Sequence, residues 1–347
     1  MTTVSSLSLL VPGSFTDEDP YQGLESTLQL FERSERLGFD GAWIRQQHLV
    51  PNVSSAAVFL AAASQRTRDI ELGTAVIQIG YESPFRLAED LSVADVLSRG
   101  RVQAGFSAGV PPTADLLAGL VYDGDWREYD LSHARIARLA GYLEGEFLGG
   151  ADTVVPHPAG PQRPRIRPHD PGLARRLWYG AGSLRSVVWA AEHGLHLAVG
   201  NICAGEGLGT DDFGTAQLAE IRAYRDKWAG PGRPRVVAGR VILPLDSADA
   251  ATRRKYREYE AARHARTLTP QGPRRILIAP DLVGTAAEIV GLLRADPVLA
   301  EVSELQLELP YDFSPGEYEQ IVSDAAALIA PQLGWSPAGR ASARAGG

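Results

Sequence analysis

The stretch from residue 70 to residue 109 constrains the fold of this chain more than any other. Residues 70–77 are apolar and β-branched around Gly73 and Thr74, and a glycine inside a strand marks a close approach by another backbone or a ligand. Ser83-Pro84 reads as a helix start: a hydroxyl acceptor at the N-cap, then proline where no amide donor is needed. Leu87, Leu91 and Ala94 keep one apolar helical face, Ser98-Arg99-Gly100-Arg101 ends it, and residues 102–106 are strand-like again. Strand, helix and strand at this spacing form one βαβ unit of a parallel sheet, with small residues at the strand ends where such folds carry chemistry.

The alternation continues along the chain. Strand-like runs at 6–11, 39–44, 70–77, 102–106, 176–180, 195–199, 235–243 and 304–309 are separated by helical patterns. Repeats of this kind over residues 1–335 predict an α/β fold, a single (β/α)8 TIM barrel. An open doubly wound sheet would begin with a glycine-rich dinucleotide turn, and Leu10-Val11-Pro12-Gly13 is not one. Thr285-x-x-Glu288 and Ser314-Pro315-x-Glu317 are capping boxes that start two of the helices.

Two segments exceed the minimal repeat. Residues 110–173 and 246–280 are expected as insertions at the C-terminal face of the strands. The first contains an extended Pro/Arg/His-rich loop at 156–171. The second carries arginines between Arg253 and Arg275, read either as a solvated helix with Glu258 and Glu260 as partners or as a lid over an anionic cofactor. Residues 336–347 read as a disordered Ala/Gly/Arg tail.

A net charge of −8 argues against a general nucleic-acid surface, and no apolar run reaches membrane-spanning length. The start has no basic leader, and the single cysteine, Cys203, excludes an internal disulfide. A cytoplasmic protein without nucleic-acid or membrane partners is expected.

Two places hold residues suited to chemistry. Gly180-Ala181-Gly182-Ser183-Leu184-Arg185-Ser186 leads straight into a helical run. Such a turn offers free amides and the positive end of a helix dipole to an anion, with Ser183 and Ser186 as hydroxyl donors and Arg185 as a charge. The plainer reading makes Ser183 only an N-cap. At the end of the second strand, Trp43-Ile44-Arg45-Gln46-Gln47-His48 supplies one imidazole, His48, which in a purely structural role would pair with a carboxylate such as Glu89. Trp43, Gln47, Tyr81 and Glu82 are the candidate substrate pocket. The remaining histidines (His133, His157, His169, His193, His196, His264) show no paired metal-ligand spacing, so no metal is expected. Trp126, Trp178 and Tyr179 read as packing or pocket wall.

Four pieces, Gly73-Thr74-Ala75-Val76-Ile77, Pro84-Phe85-Arg86, Glu89-Asp90 and Asp95-Val96-Leu97-Ser98-Arg99-Gly100-Arg101, stand together in order. On these the chain resembles the bacterial luciferase-like flavin monooxygenases, more weakly from about Leu7 to Gly334. The resemblance implies reduced FMN supplied by a separate flavin reductase, reaction with O2, and oxygenation of a small organic substrate. It also implies a homodimer through the second and third helices. It places a non-prolyl cis peptide at Ala75-Val76, with the flavin ring against it, and the FMN phosphate at Gly182, Ser183, Arg185 and Ser186.

Two departures from the family pattern matter. Its W-x-x-E-H-H has Gln46 and Gln47 at the first two of the last three positions, which leaves His48 as the candidate acid/base. Its C-R-G reads Ser107-Ala108-Gly109, so a phosphate-side arginine is missing; Arg185 or an arginine of 253–275 is the expected substitute, and Ser107 is placed at the ring edge. Both departures argue against light emission and leave monooxygenation open. The alternatives are a deazaflavin-dependent reductase or dehydrogenase on the same barrel, a flavin-binding protein without turnover, and an unrelated barrel enzyme such as an aldolase. Residues 110–173 are expected to set the substrate.

Overall fold

The computed structural model describes residues 3–337 apart from Pro112 and Asp123. The tail expected at 336–347 lies outside the described residues from 338 onward. Eight strands, β1 (Ser6–Val11), β2 (Gly41–Ile44), β3 (Glu71–Thr74), β4 (Val102–Ser107), β5 (Leu177–Ala181), β6 (His196–Val199), β7 (Val236–Arg240) and β8 (Glu304–Glu308), pair in parallel with their neighbours. Leu9 of β1 stands opposite both Ala42 of β2 and Leu307 of β8, so the sheet closes and leaves no barrel edge unpaired. The helices that return the chain are α1 (Pro20–Leu37), α2 (Ala56–Ser64), α3 (Pro84–Ser98), α4 (Ala134–Glu144), α5 (Leu184–Glu192), α6 (Phe213–Asp226), α7 (Ala286–Ala295) and α8 (Pro315–Asp324). This is the (β/α)8 TIM barrel predicted from the alternation. Among the described residues no helix is long and apolar enough to cross a membrane.

Local chemistry sets the element ends. Ser83 caps α3 before Pro84, and both predicted capping boxes form at Thr285 and Ser314. The Ser98-Arg99-Gly100-Arg101 turn is a clamp at the N-terminal face of the barrel. Arg101 donates to the carbonyls of Ser64, Thr67, Ile70 and Ser98, while Asp95 accepts from the Val102 amide and from Arg176. These bonds tie α2, α3 and the starts of three strands together.

The insertions are distributed differently from the sequence expectation. Segment 110–173 is split by α4, so only its first part, with a short helix Ala114–Val121, rises at the C-terminal face. The Pro/Arg/His-rich loop 156–171 follows α4 and precedes β5, which puts it at the opposite, N-terminal face. Segment 246–280 does lie on the C-terminal side, between β7 and α7, and contains helix Ala250–His264. Most of its arginines are committed locally: Arg253 to the Leu245 carbonyl, Arg254 toward Glu258, Arg263 to Asp281 and Arg275 to Asp211.

Two indoles fill the barrel interior. Trp43 and Trp178 meet edge to face at 5.1 Å, and Trp178 donates to Gln103 Oε1 at 2.8 Å. Gly73 is required beside them, because a Cβ there would lie 2.1 Å from the Trp43 ring. Trp43 is only 2% exposed, so it is barrel filling and not the substrate-pocket wall that its place in the sequence suggested. Charges close both ends. At the N-terminal end Arg235 bonds Glu71 and Glu304, each at 2.9 Å, and lies over Trp178. At the C-terminal end Arg45 bonds Glu308 at 2.7 Å, and Glu308 also accepts from the Asn201 amide at 3.0 Å. A buried ion pair that loses one partner leaves the other charge desolvated. Arg45→Met should therefore lower the urea-unfolding stability by about 3 kcal/mol, and adding Glu308→Gln should recover most of it.

Outside the barrel wall, α6 turns Gln217 and Glu220 inward, both fully buried. Neither carboxylate oxygen of Glu220 has a hydrogen-bond partner among the described residues, and burial pushes its pKa up to about 8. Across the window from 4.5 to about 8 the folded chain holds a proton that the unfolded chain has released. Stability from this group is therefore complete below that window and declines as pH rises through it. Glu220→Gln should flatten this slope and raise the stability at the alkaline end by a few kcal/mol, measured by urea unfolding at both ends of the window.

Candidate active site

The third strand is interrupted where the residues alone read as one continuous strand and the resemblance places a cis peptide. After Thr74 the chain leaves β3, and only Ile77–Gln78 pairs again with β4. The Thr74 hydroxyl replaces the lost ladder: it donates to the Gly105 carbonyl at 3.0 Å and accepts from the Gly105 amide at 2.8 Å. The Ala75-Val76 peptide between the two pieces is cis. Gly105 and Gly180 make room for this excursion, since a Cβ on either would meet the Thr74 carbonyl at 2.2 Å or Val76 at 2.5 Å. A backbone face is thus offered at the barrel mouth beside the end of β5.

At that end, a cavity of about 470 Å³ opens, lined by Ser107, Gly182, Ser183, Arg185 and Ser186. These five were singled out in the sequence, and the fold brings them to one place. Ser183 caps α5: its Oγ accepts from the Ser186 amide at 3.4 Å and lies 2.9 Å from Ser186 Oγ. A Cβ on Gly182 would point into open space, so the turn is shaped to admit a group close to its backbone. The N-terminus of α5 turns unsatisfied amides and a positive partial charge toward this space.

Four further residues line this cavity: Ser132 and His133, which carried no signal toward it in the sequence, Tyr179, read there as packing or pocket wall, and Arg274, one of the 253–275 arginines expected as a substitute. Arg274 was hidden within the arginine cluster. It is held over the cavity by a short ribbon in which Ile276–Ile278 pairs antiparallel with Ile202–Ala204. It lines the same cavity as Ala108, the position at which the family pattern has an arginine. Ser132 and His133 come from the turn before α4, far away in the chain. His133 Nε2 lies 2.8 Å from the Tyr179 hydroxyl, and its ring stacks on Trp189 at 4.3 Å. Burial, then the charge of Arg185, lowers the His133 pKa.

On the other side of the mouth, His48 is held by Gln46 and Tyr81. Gln46 Oε1 accepts from the Ala56 amide at the start of α2, which fixes the orientation of its amide. Its Nε2 donates to Glu82 at 2.8 Å and sits 3.2 Å from His48 Nε2. This explains the glutamine at the position where the resemblance has glutamate: a carboxylate there would face Glu82. His48 Nε2 is the accepting nitrogen, so the ring proton rides on Nδ1, and burial lowers its pKa and keeps it neutral. Its ring lies 4.3 Å from that of Tyr81, whose hydroxyl bonds Thr113 at 2.6 Å. Within the chain Glu89 is paired with Arg86.

Gln47 donates to the Tyr311 hydroxyl at 3.2 Å, and Arg45 lies 5.6 Å from the centre of the same ring. Tyr311 also walls a second cavity of about 510 Å³ between α1 and α8, with Val11, Phe15, Leu30 and Phe313. The mouth therefore has a basic, hydroxyl-rich side at β5 and a more apolar side at β1, β2 and β8.

Comparison with known proteins bears on the fold and the family. Limonene 1,2-monooxygenase of Rhodococcus erythropolis is 38% identical over 104 residues, which is 29% of this chain and 27% of that protein. The chain thus spans well under half the length of that curated relative. The oxygenating constituent of 3,6-diketocamphane monooxygenase from Pseudomonas putida, solved with FMN, superposes with a TM-score of 0.64 at 16% identity, covering 95% of this chain and 98% of that one. The coenzyme F420-dependent tetrahydromethanopterin reductase of Methanopyrus kandleri gives 0.62 at 16% identity, covering 95% and 99%. The last two show the shared fold. The model of the family described as luciferase-like monooxygenase matches residues 5–295, and the chain belongs to that family.

Proposed function

We propose that this protein is an FMN-dependent monooxygenase that takes reduced FMN from a separate flavin reductase and uses O2 to oxygenate a small organic substrate in the cytoplasm. The observation that carries this reading is the cavity that unites the Ser183–Ser186 turn, Arg185 and Arg274 beside the Ala75-Val76 backbone. A phosphate is held by the α5 amides, the two serine hydroxyls and the two arginines. The ring lies against Ala75 and Val76, with Ser107 at its edge. When bound, reduced FMN supplies the electrons that activate O2.

The chain's own part is positioning and exclusion of water. Tyr81 and Gln47 border the substrate side, with Glu82 anchoring Gln46 behind them. His48 is neutral: its Nδ1–H can donate a hydrogen bond, and its Nε2 lone pair, now facing the Gln46 amide, is the place where it takes up a proton once that amide moves away. The apolar side of the mouth suits a substrate with little charge. Arg45 is neutralised by Glu308 and presents no free cation there.

A homodimer through α2 and α3 accompanies this reading. Val58 on α2 and Val93, Val96 and Leu97 on α3 are 67%, 44%, 45% and 50% exposed, an apolar stripe on two neighbouring helices. Val93→Arg should convert the dimer to monomer by sedimentation equilibrium without loss of helical signal.

Anaerobic titration with reduced FMN tests the cofactor. Binding should be saturable, and Ser183→Ala/Ser186→Ala should weaken it about 10-fold or more. Mixing the complex with air-saturated buffer should reoxidise bound flavin at a rate distinct from free flavin. Failure to bind reduced FMN, together with binding of a reduced deazaflavin, would move the protein to the hydride-transfer reading suggested by the F420-dependent neighbour.

A further inference from the structure

The cofactor cavity contains one group that an anion site of serines and arginines does not need. His133 lines the cavity, yet its imidazole is engaged with Tyr179 and not aimed freely at the space. The Tyr179 oxygen accepts from the Ala108 amide at 3.3 Å, and burial keeps the side chain a neutral phenol. With the Ala108 amide as the donor to its oxygen, Tyr179 gives its one proton to His133 Nε2 in the arrangement where His133 is a neutral acceptor with its own proton on Nδ1.

Protonation of His133 reverses that bond. Nε2 then carries a hydrogen and donates to the Tyr179 oxygen, and the tyrosine hydrogen must find another acceptor. Because Tyr179 itself lines the cavity, the acceptor available is an anion bound there. One proton added at His133 thus supplies the cavity with both a cation and a freed hydroxyl donor.

We propose that the His133–Tyr179 pair couples cofactor binding to uptake of one proton and so selects a terminal phosphate monoester, the dianionic group FMN carries, over a phosphodiester. This deepens the FMN reading and rests on it. The surroundings favour the neutral ring until an anion arrives. Arg185 on α5 and His193 at its end both bear on His133 with like charge, Arg274 lines the same cavity, and the Trp189 ring stacks on the imidazole. Asp130, three residues earlier in the chain, is already engaged by the Ser132 amide and by Arg138. A dianion offsets the repulsion from the arginines where a monoanion does so only in part. The bound-state affinity of His133 for its proton then exceeds that of the free protein, and FMN affinity falls as pH rises through the bound-state value.

The test is anaerobic calorimetric titration of the full-length protein with reduced FMN and with its monomethyl phosphodiester, in buffers of different ionisation heat just above neutral pH. The wild type should take up close to one proton per FMN and markedly less with the diester, and should bind FMN at least about 10-fold more tightly than the diester. His133→Asn, which keeps a planar amide against Trp189, should bind FMN without that uptake and with most of the preference gone. Tyr179→Phe, which keeps the ring and the histidine, should lose the preference while the thermal midpoint reports an intact fold. Equal proton uptake by the wild type and His133→Asn, or equal affinity of the wild type for the two flavins, would overturn this proposal alone. No binding of either flavin by the wild type would overturn it together with the FMN reading.

Discussion

Two tryptophans inside a closed eight-stranded barrel set the terms for the rest of this structure. Trp43 and Trp178 occupy space that smaller branched side chains usually fill, and the walls facing them are correspondingly small. Gly73 is fixed by Trp43, and Ala75 packs against the same cluster. Above the indoles β3 departs from its neighbour, and Thr74 replaces the missing ladder with its hydroxyl. The backbone face at Ala75-Val76 therefore follows from how the core beneath it is packed.

The charges are arranged around that core with different consequences at each end. Arg235 with Glu71 and Glu304 closes the N-terminal end, and Arg45 with Glu308 closes the other. Because Arg45 is satisfied, the positive character of the mouth is concentrated on the β5 side, at Arg185 and Arg274. On the proposed reading, a phosphate bound there would lie apart from the apolar side around Tyr311, and an extended cofactor between them would cross the Ala75-Val76 backbone.

The fold was legible because hydrophobic period, caps and turn residues agreed along the whole chain. The strongest motif proved to be structural: Asp95, Ser98 and Arg101 hold the N-terminal face of the barrel, on the far side from the candidate site. Ser183 and Ser186 were legible because a capped helix start is a local pattern. His133 and Ser132 were not, and Arg274 only as one of a cluster of arginines, since each reaches the cavity from a loop distant in sequence and only closure of the barrel assembles them. Trp43 was misplaced for a related reason: alternation along a four-residue strand does not say how deep in a barrel a side chain will sit. Loop 156–171 went to the wrong face because α4 begins late within a long segment and its start carries no side-chain cap. Gln46 looked like a loss of chemistry in the sequence, whereas its contacts show an amide selected by Glu82 and the start of α2.

The central claim is that one cavity at the end of β5 receives the phosphate of a flavin whose ring rests on the Ala75-Val76 backbone. Diffraction from crystals equilibrated anaerobically with reduced FMN addresses it most directly. The predicted result is phosphate density within hydrogen-bond reach of Ser183, Ser186 and Arg185, with the ring plane against Ala75 and Val76. Flavin density confined to the cavity between α1 and α8, or a phosphate away from the α5 turn, would contradict it.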